Sequence, residues 1–215
     1  MLQLMQLPLG PLQTNCYILA CEQSMKAAVI DPSWNGQAIA ATLDEQGLEA
    51  THILLTHAHF DHVGGLSELK RQTNAPIYLH PDAISMLQQA TMQAAFFGLQ
   101  IPAPPPPDEM LSEGQIIEVG ELKLHVLHTP GHVPGHVSFH LPDHRVIFDG
   151  DVLFQQSIGR TDFAGGNHDL LMSSIWDKLM VLPDETQVFS GHGQATTIGD
   201  ERGLNPFLRQ QARGS

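Results

Sequence analysis

The sequence predicts an α/β (α+β) protein with a large share of antiparallel strand, on three observations. Short apolar runs alternate with helix-patterned segments through the first half. Strand patterning resumes as soon as a proline-rich stretch ends. One amphipathic segment, Gly166 to Leu182, then follows a further set of strands.

Taken in order, Met1 to Leu12 is apolar but interrupted by Gln3, Gln6, Pro8, Gly10 and Pro11, and it carries no basic residue. It fits neither a signal peptide nor a membrane span. Cys16 to Ala20 and Lys26 to Ile30 read as a β-hairpin that ends at Asp31-Pro32, a natural turn starter. Gln37 to Gly47 has helical spacing in Ile39, Ala40 and Leu43, with Gly47 as the residue that ends it. A strand over Thr51 to Leu55 is followed by a helix over Leu66 to Thr73, a strand over Ile77 to His80 and a second helix over Pro81 to Gln93 with proline at its start. Ile101 to Asp108 is too rich in proline for helix or central strand. Of the two readings open to it, a linker between half-domains and a rim loop over a site, the rim loop is favoured, because Ile116, Ile117, Val119, Leu122, Leu124 and Val126 resume β patterning around Gly120. Further strands are expected at Val137 to Leu141 and Arg145 to Phe148. The helix from Gly166 to Leu182 presents Leu170, Leu171, Ile175, Leu179 and Leu182, with Asn167 as N-cap, and Gln187 to Phe189 is the last strand expected. The whole of residues 1–215 reads as one domain.

Composition narrows the function. With 215 residues, 42% hydrophobic and 15% charged, the chain can bury a core. A formal charge of −13 with only 10 Lys and Arg leaves no basic face for a phosphate backbone or an anionic membrane, so neither nucleic acid nor membrane is an expected partner. Cys16 and Cys21 fall on opposite faces of a strand, which disfavours a disulfide and suits a reducing, cytoplasmic setting. The terminal Gly214-Ser215 resembles an expression remnant and carries no weight. Histidine is in excess, at 13 residues. Of these, His52, His80, His125, His128, His140, His144 and His168 have no ligand spacing and are assigned structural or surface roles.

The densest chemistry is Thr56-His57-Ala58-His59-Phe60-Asp61-His62, after the apolar run Ile53-Leu54-Leu55. On an extended backbone His57 and His59 point the same way, while Asp61 and His62 begin the next turn. Imidazole nitrogen with carboxylate oxygen suits zinc, iron or manganese. Three later strands run into glycine-bearing turns that carry the same side-chain types. These are Thr129-Pro130-Gly131-His132-Val133-Pro134-Gly135-His136, Phe148-Asp149-Gly150-Asp151 and Phe189-Ser190-Gly191-His192-Gly193. Small residues let the backbone turn sharply and present one ring or carboxylate to a common centre.

The His-X-His-X-Asp-His loop and the three later phrases, in that order, resemble the metallo-β-lactamase superfamily, and within it the small glyoxalase II-like hydrolases. The resemblance runs from about Asn15 to about Phe207 and includes Gly159-Arg160-Thr161-Asp162-Phe163 and Glu201-Arg202-Gly203-Leu204-Asn205-Pro206-Phe207. It implies a four-layer αββα sandwich and two divalent metal ions, zinc first, with iron and manganese as alternatives. His57, His59 and His132 would hold one ion, Asp61, His62 and His192 the other, and Asp151 would bridge them, its charge offsetting cation repulsion. His136 and Asp149 have no place in that ligand set. Asp31 reads either as the turn starter already noted or as a support behind the metal loop, and Arg160 either as the binder of a substrate carboxylate or as half of a structural ion pair.

The implied activity is hydrolysis of a thioester, S-D-lactoylglutathione or a related hydroxyacyl thioester, by a metal-bridging hydroxide with Asp61 orienting it. Full glyoxalase II continues into a helical domain that contacts glutathione, which this sequence does not extend to, so fewer contacts with the thiol are expected. The true zinc β-lactamases lack a bridging aspartate at the position of Asp151, which disfavours antibiotic hydrolysis. Two alternatives remain. A mononuclear iron persulfide dioxygenase of the same fold shares the His loop and the Gly-Arg-Thr-Asp-Phe phrase. A non-catalytic metal-stabilised binding domain would instead be expected to show a closed, cysteine-rich site.

Overall fold

A computed structural model describes residues 1–211; the remnant reading of Gly214-Ser215 falls outside them. Two six-stranded sheets face each other. The first is built from β1 (Leu2–Leu9), β2 (Thr14–Cys21), β3 (Lys26–Ile30), β4 (Glu49–Leu54), β5 (Ile77–Leu79) and β6 (Glu109–Met110), in that spatial order. β1, β2 and β3 pair antiparallel and β3 to β6 pair parallel. Helices make the parallel crossovers: α1 (Gly36–Glu45) between β3 and β4, α2 (Phe60–Val63) and α3 (Leu66–Thr73) between β4 and β5, and α4 (Ile84–Gln88) and α5 (Ala90–Phe96) between β5 and β6.

The second sheet holds β7 (Ile116–Val119), β8 (Leu122–His128), β9 (Val137–Leu141) and β10 (Val146–Gly150) as an antiparallel meander. A small ribbon of β11 (Leu153–Phe154) and β12 (Ser157–Ile158) follows, then α6 (His168–Ser174), and β13 (Gln187–Ser190) returns parallel to β10. β14 (Thr196–Thr197), α7 (Ile198–Leu204) and α8 (Pro206–Gln211) complete the described chain.

Strand alternation explains the layers. On β2, Cys16, Ile18 and Ala20 pack toward α1 and α3, while Tyr17, Leu19 and Cys21 pack between the sheets against Leu124, Val126, Phe139 and Phe148. On β10, Val146 and Phe148 face inward, and Ile147 meets Leu171, Ile175 and Leu179 of the outer helical segment. The order helix, sheet, sheet, helix is the αββα sandwich that the resemblance implied. The two cysteines are free and lie on opposite faces of β2.

Several local expectations are corrected. Residues 2–9 form a strand, not a broken apolar lead-in; β1 is an edge strand, where Pro8 removes no essential ladder bond. The single helix expected over Pro81 to Gln93 is a 3-10 turn (Pro81–Ala83) followed by α4 and α5, which meet at Gln89. The amphipathic segment after Asn167 changes from α to π winding over Ile175–Leu179. β13 is not the last strand, since β14 pairs with it. The proline-rich segment lines two outer hollows, one with Trp34, Gly64 and Glu68 and one with Ile84 and Leu87. Among the described residues no helix is long and apolar enough to cross a membrane.

Candidate metal centre

The predicted ligands are carried by the loop after β4 and by turns following the second sheet's strands. β4 stops at Leu54, and the next residues project His57 and His59 before Asp61 and His62 enter the first turn of α2. His132 lies in the turn between β8 and β9, Asp151 follows β10, and His192 follows β13. The structure brings all seven together.

They form two adjoining groups. His57 Nε2 and His132 Nε2 each lie 3.0 Å from His59 Nδ1. In the other group, His192 Nε2 is 3.2 Å and His62 Nε2 3.7 Å from Asp61 Oδ2. Asp151 stands between the groups, with Oδ2 3.6 Å from His132 Nε2 and 3.7 Å from His192 Nε2, and Oδ1 3.5 Å from His62 Nε2. His62 Nε2 and Asp151 Oδ1 are buried without a hydrogen-bond partner. Facing unsatisfied donor atoms are costly unless something charged joins them, and a nitrogen and oxygen donor set of this kind fits divalent metal ions. A Cβ added to Gly191 would stand 2.3 Å from Asp151 Oδ1 and 2.6 Å from His62 Cε1, so the turn before His192 can close on the cluster only with glycine there.

The surrounding hydrogen bonds set the tautomers. The Arg160 carbonyl, which can only accept, receives a hydrogen bond from His132 Nδ1–H at 2.7 Å and leaves Nε2 to face the cluster as a lone pair. Asp31 Oδ2 accepts from His62 Nδ1 at 2.9 Å and from the Thr56 hydroxyl at 2.6 Å, and Oδ1 accepts from the Thr56 backbone N–H at 2.8 Å. His57 Nδ1 lies 3.0 Å from that same hydroxyl, whose proton is committed to Asp31, so the ring donates there and also aims Nε2 inward. Asp31, the residue after β3, thus supports two rings, His62 directly and His57 through the Thr56 hydroxyl.

Electrostatics divides the histidines. Burial holds His57 well below the ordinary imidazole value and His59 at about 4, and it lowers His132, so these three are neutral donors. Burial also opposes charge on His62, but the Asp151 and Asp61 carboxylates outweigh it and raise that ring well above the ordinary value. Burial pushes Asp61 up, and His62 and His192 more than reverse this and hold it at about 2.

Asp149 stays apart: it is fully buried, one oxygen accepts from the Leu153 N–H at 2.9 Å, and burial pushes its carboxyl well above the usual range. His136 packs its ring on His57, with centroids 5.0 Å apart, and its Nε2 accepts the Asp151 backbone N–H at 3.1 Å. Arg160 is exposed; its guanidinium forms two bonds to Asp162, at 2.9 and 2.7 Å, and lies 4.3 Å over the Phe163 ring. Phe163 in turn meets His59 and His132 edge-on.

Sequence reasoning missed the ties from β2. The Thr14 hydroxyl donates to Asp61 Oδ2 at 2.8 Å. Asn15 Nδ2 donates to the Ser190 and Gly193 carbonyls, and the Tyr17 hydroxyl also donates to Ser190. A polar pair opening a wholly buried strand was the available signal.

The pattern described as the Metallo-beta-lactamase superfamily matches residues 9–192. The chain is 38% identical to the hydroxyacylglutathione hydrolase GloC of Haemophilus influenzae over 208 residues, 96% of this chain and 98% of that one. The crystal structure of BLEG-1 B3 metallo-beta-lactamase superposes with a TM-score of 0.90 at 42% identity, covering 96% of this chain and 99% of that one. That of TTHA1623 in a di-iron-bound form gives 0.88 at 42% identity, over 95% and 100% of the two chains.

Proposed function

This chain belongs to the metallo-beta-lactamase superfamily, and from that premise we propose that it is a binuclear metallohydrolase that cleaves a hydroxyacyl thioester such as S-D-lactoylglutathione. The observation that supports this reading best is the pair of donor groups with Asp151 between them, too many ligands for one tetrahedral ion. In this reading His57, His59 and His132 would hold one divalent metal and Asp61, His62 and His192 the second, with Asp151 placed between the two groups to serve both.

Bound there, two divalent ions would supply an activated water near neutral pH and Lewis-acid polarisation of a carbonyl. The chain's own residues do the rest. Asp61, kept ionised and fixed by the Thr14 hydroxyl, accepts a hydrogen bond from the attacking water and orients it. His132, held by the Arg160 carbonyl, and His59 form one wall, with Phe163 edge-on beside them as an apolar shelf for the acyl group. A thiol leaving group has an ordinary pKa of about 8.5, so it departs without a dedicated proton donor. The similarity to the GloC hydrolase supports the choice of thioester.

The test is anaerobic turnover of S-D-lactoylglutathione by the purified protein, followed as free thiol. We expect release at an undiminished rate without oxygen, abolished by chelation and restored by zinc. Oxygen uptake with glutathione persulfide, in place of thioester cleavage, would establish the mononuclear iron reading instead. The similarity to a B3 metallo-beta-lactamase brings in a second substrate class, so a cephalosporin belongs in the same assay; faster opening of its ring than of the thioester would move the assignment to β-lactams.

A further inference from the structure

The metal centre leaves part of the histidine excess unexplained, and one cluster outside it has the composition of a metal site. His80 immediately follows β5, Asp82 lies in the 3-10 turn after it, and His128 is the last residue of β8. One ligand atom from each lies within 4.8 Å of the others. The two imidazole rings lie parallel, with centroids 4.4 Å apart and 7° between their planes, and His80 Nδ1 is 3.8 Å from the Asp82 carboxylate.

The cluster is incompletely satisfied. His128 Nε2 is buried and has no hydrogen-bond partner, a cost that a native structure ordinarily avoids. His80 Nδ1 accepts the Asp82 backbone N–H at 3.3 Å, a long bond that an ion would have to replace, so its lone pair already points to the Asp82 side. Burial, and then the neighbouring His128, disfavours charge on His80, which leaves its ring neutral and able to ligate. The Asp82 side chain is 63% exposed, so an ion has a path in from solvent. β5 belongs to the first sheet and β8 to the second, so these ligands span the seam between the halves.

We propose that His80, Asp82 and His128 bind a third transition-metal dication of the zinc class, separate from the seven-residue centre, which clips the end of β5 to the end of β8. Two imidazoles and one carboxylate select such an ion over magnesium or calcium, which prefer oxygen. Binding needs the stacked rings to rotate about their Cβ–Cγ bonds until the lone pairs converge. Three protein ligands then leave a position for water. The clip also reaches the centre indirectly. A Cβ on Gly135 would stand 2.6 Å from the Ala83 nitrogen and 2.9 Å from the Asp82 carbonyl carbon, so the loop that carries His132 lies directly on the Asp82 turn.

The experiment uses wild type, His128→Gln and Asp82→Asn, each with its centre loaded and then dialysed against the same low-micromolar zinc buffer. Bound ions per chain are counted and melting is followed with and without zinc. We expect one ion more in wild type than in either variant, and a zinc-dependent rise in Tm present only in wild type. Should His128→Gln fail to fold, Asp82→Asn carries the comparison, because Asp82 is exposed and its backbone turn is unchanged. Equal ion counts in wild type and the variants, or a zinc-dependent rise in Tm that survives in them, would overturn the proposal. Neither readout depends on thioester hydrolysis, so the result stands apart from the functional assignment.

Discussion

Asp149 and Asp151 sit two positions apart after the same strand and do opposite things. Burial would raise the Asp151 carboxyl, but the charge and hydrogen bond of the His62 ring beside it outweigh this and hold it below the usual range; Asp149 is buried without a cation and is pushed up. Asp151→Ala should therefore lose at least one metal and most thioester turnover while circular dichroism stays native, whereas Asp149→Ala should keep both ions, as metal analysis would register. The pH dependence follows from the same groups. After chelation, His62, raised above its ordinary 6.5, contributes stability that is fully present below 6.5 and is lost as pH rises through its folded value. Asp61, lowered from 3.8 to about 2, contributes stability that is present above 3.8 and is lost as pH falls toward its folded value. His57, His59 and His132, all lowered from 6.5, lose stability as pH falls below that value, so urea midpoints of the chelated protein should be highest near 6.5 and fall on both sides. Metal uptake should release a proton from His62, so affinity should weaken as pH falls. Arg160 offers a cleaner test of substrate contact. If its guanidinium takes the substrate carboxylate it must leave Asp162, so Asp162→Asn should lower KM and Arg160→Ala should raise it, with kcat little changed.

At the scale of elements, the patterns that were legible are those whose residues choose their own geometry. Asn167 was readable as an N-cap, and its side chain does accept the Leu170 N–H at 3.0 Å. Asn167→Ala should cost about 1 kcal/mol in denaturant unfolding. The strand-end placement of His132, Asp151 and His192 was legible because glycine-bearing turns after apolar runs leave little choice of geometry. β1 was not legible: its apolar residues face two different cores, and Pro8 reads as a breaker unless the strand is known to be at an edge. The division of residues 81–96 into a 3-10 turn and two short helices was equally hidden, since periodicity continues across Gln89 while the winding does not. The partners of Thr14, Asn15 and Tyr17 were hidden for a third reason, although the polar pair that opens their strand was in view. These three side chains act on residues far along the chain, and no local spacing encodes that.

For the whole molecule, the apolar layer between the two sheets fixes how the donor groups meet. Phe139 and Phe148 are fully buried there, and Phe139→Ala should destabilise by about 3–5 kcal/mol in urea unfolding, with loss of metal following only where the fold itself is lost. The ties from β2 to the Ser190–Gly193 turn have a bearing on how the protein is made. Asn15 and Tyr17 leave the ribosome early and His192 late, and His192 follows His57 by 135 residues. At 5–20 residues per second that interval is roughly 7–27 s. During it the His57 to His62 loop can be translated and even folded on β4 while lacking its partners from the second sheet. A nascent chain therefore offers cations a lone His-rich loop, and the paired site closes only when the turn after β13 reaches the Asn15 amide.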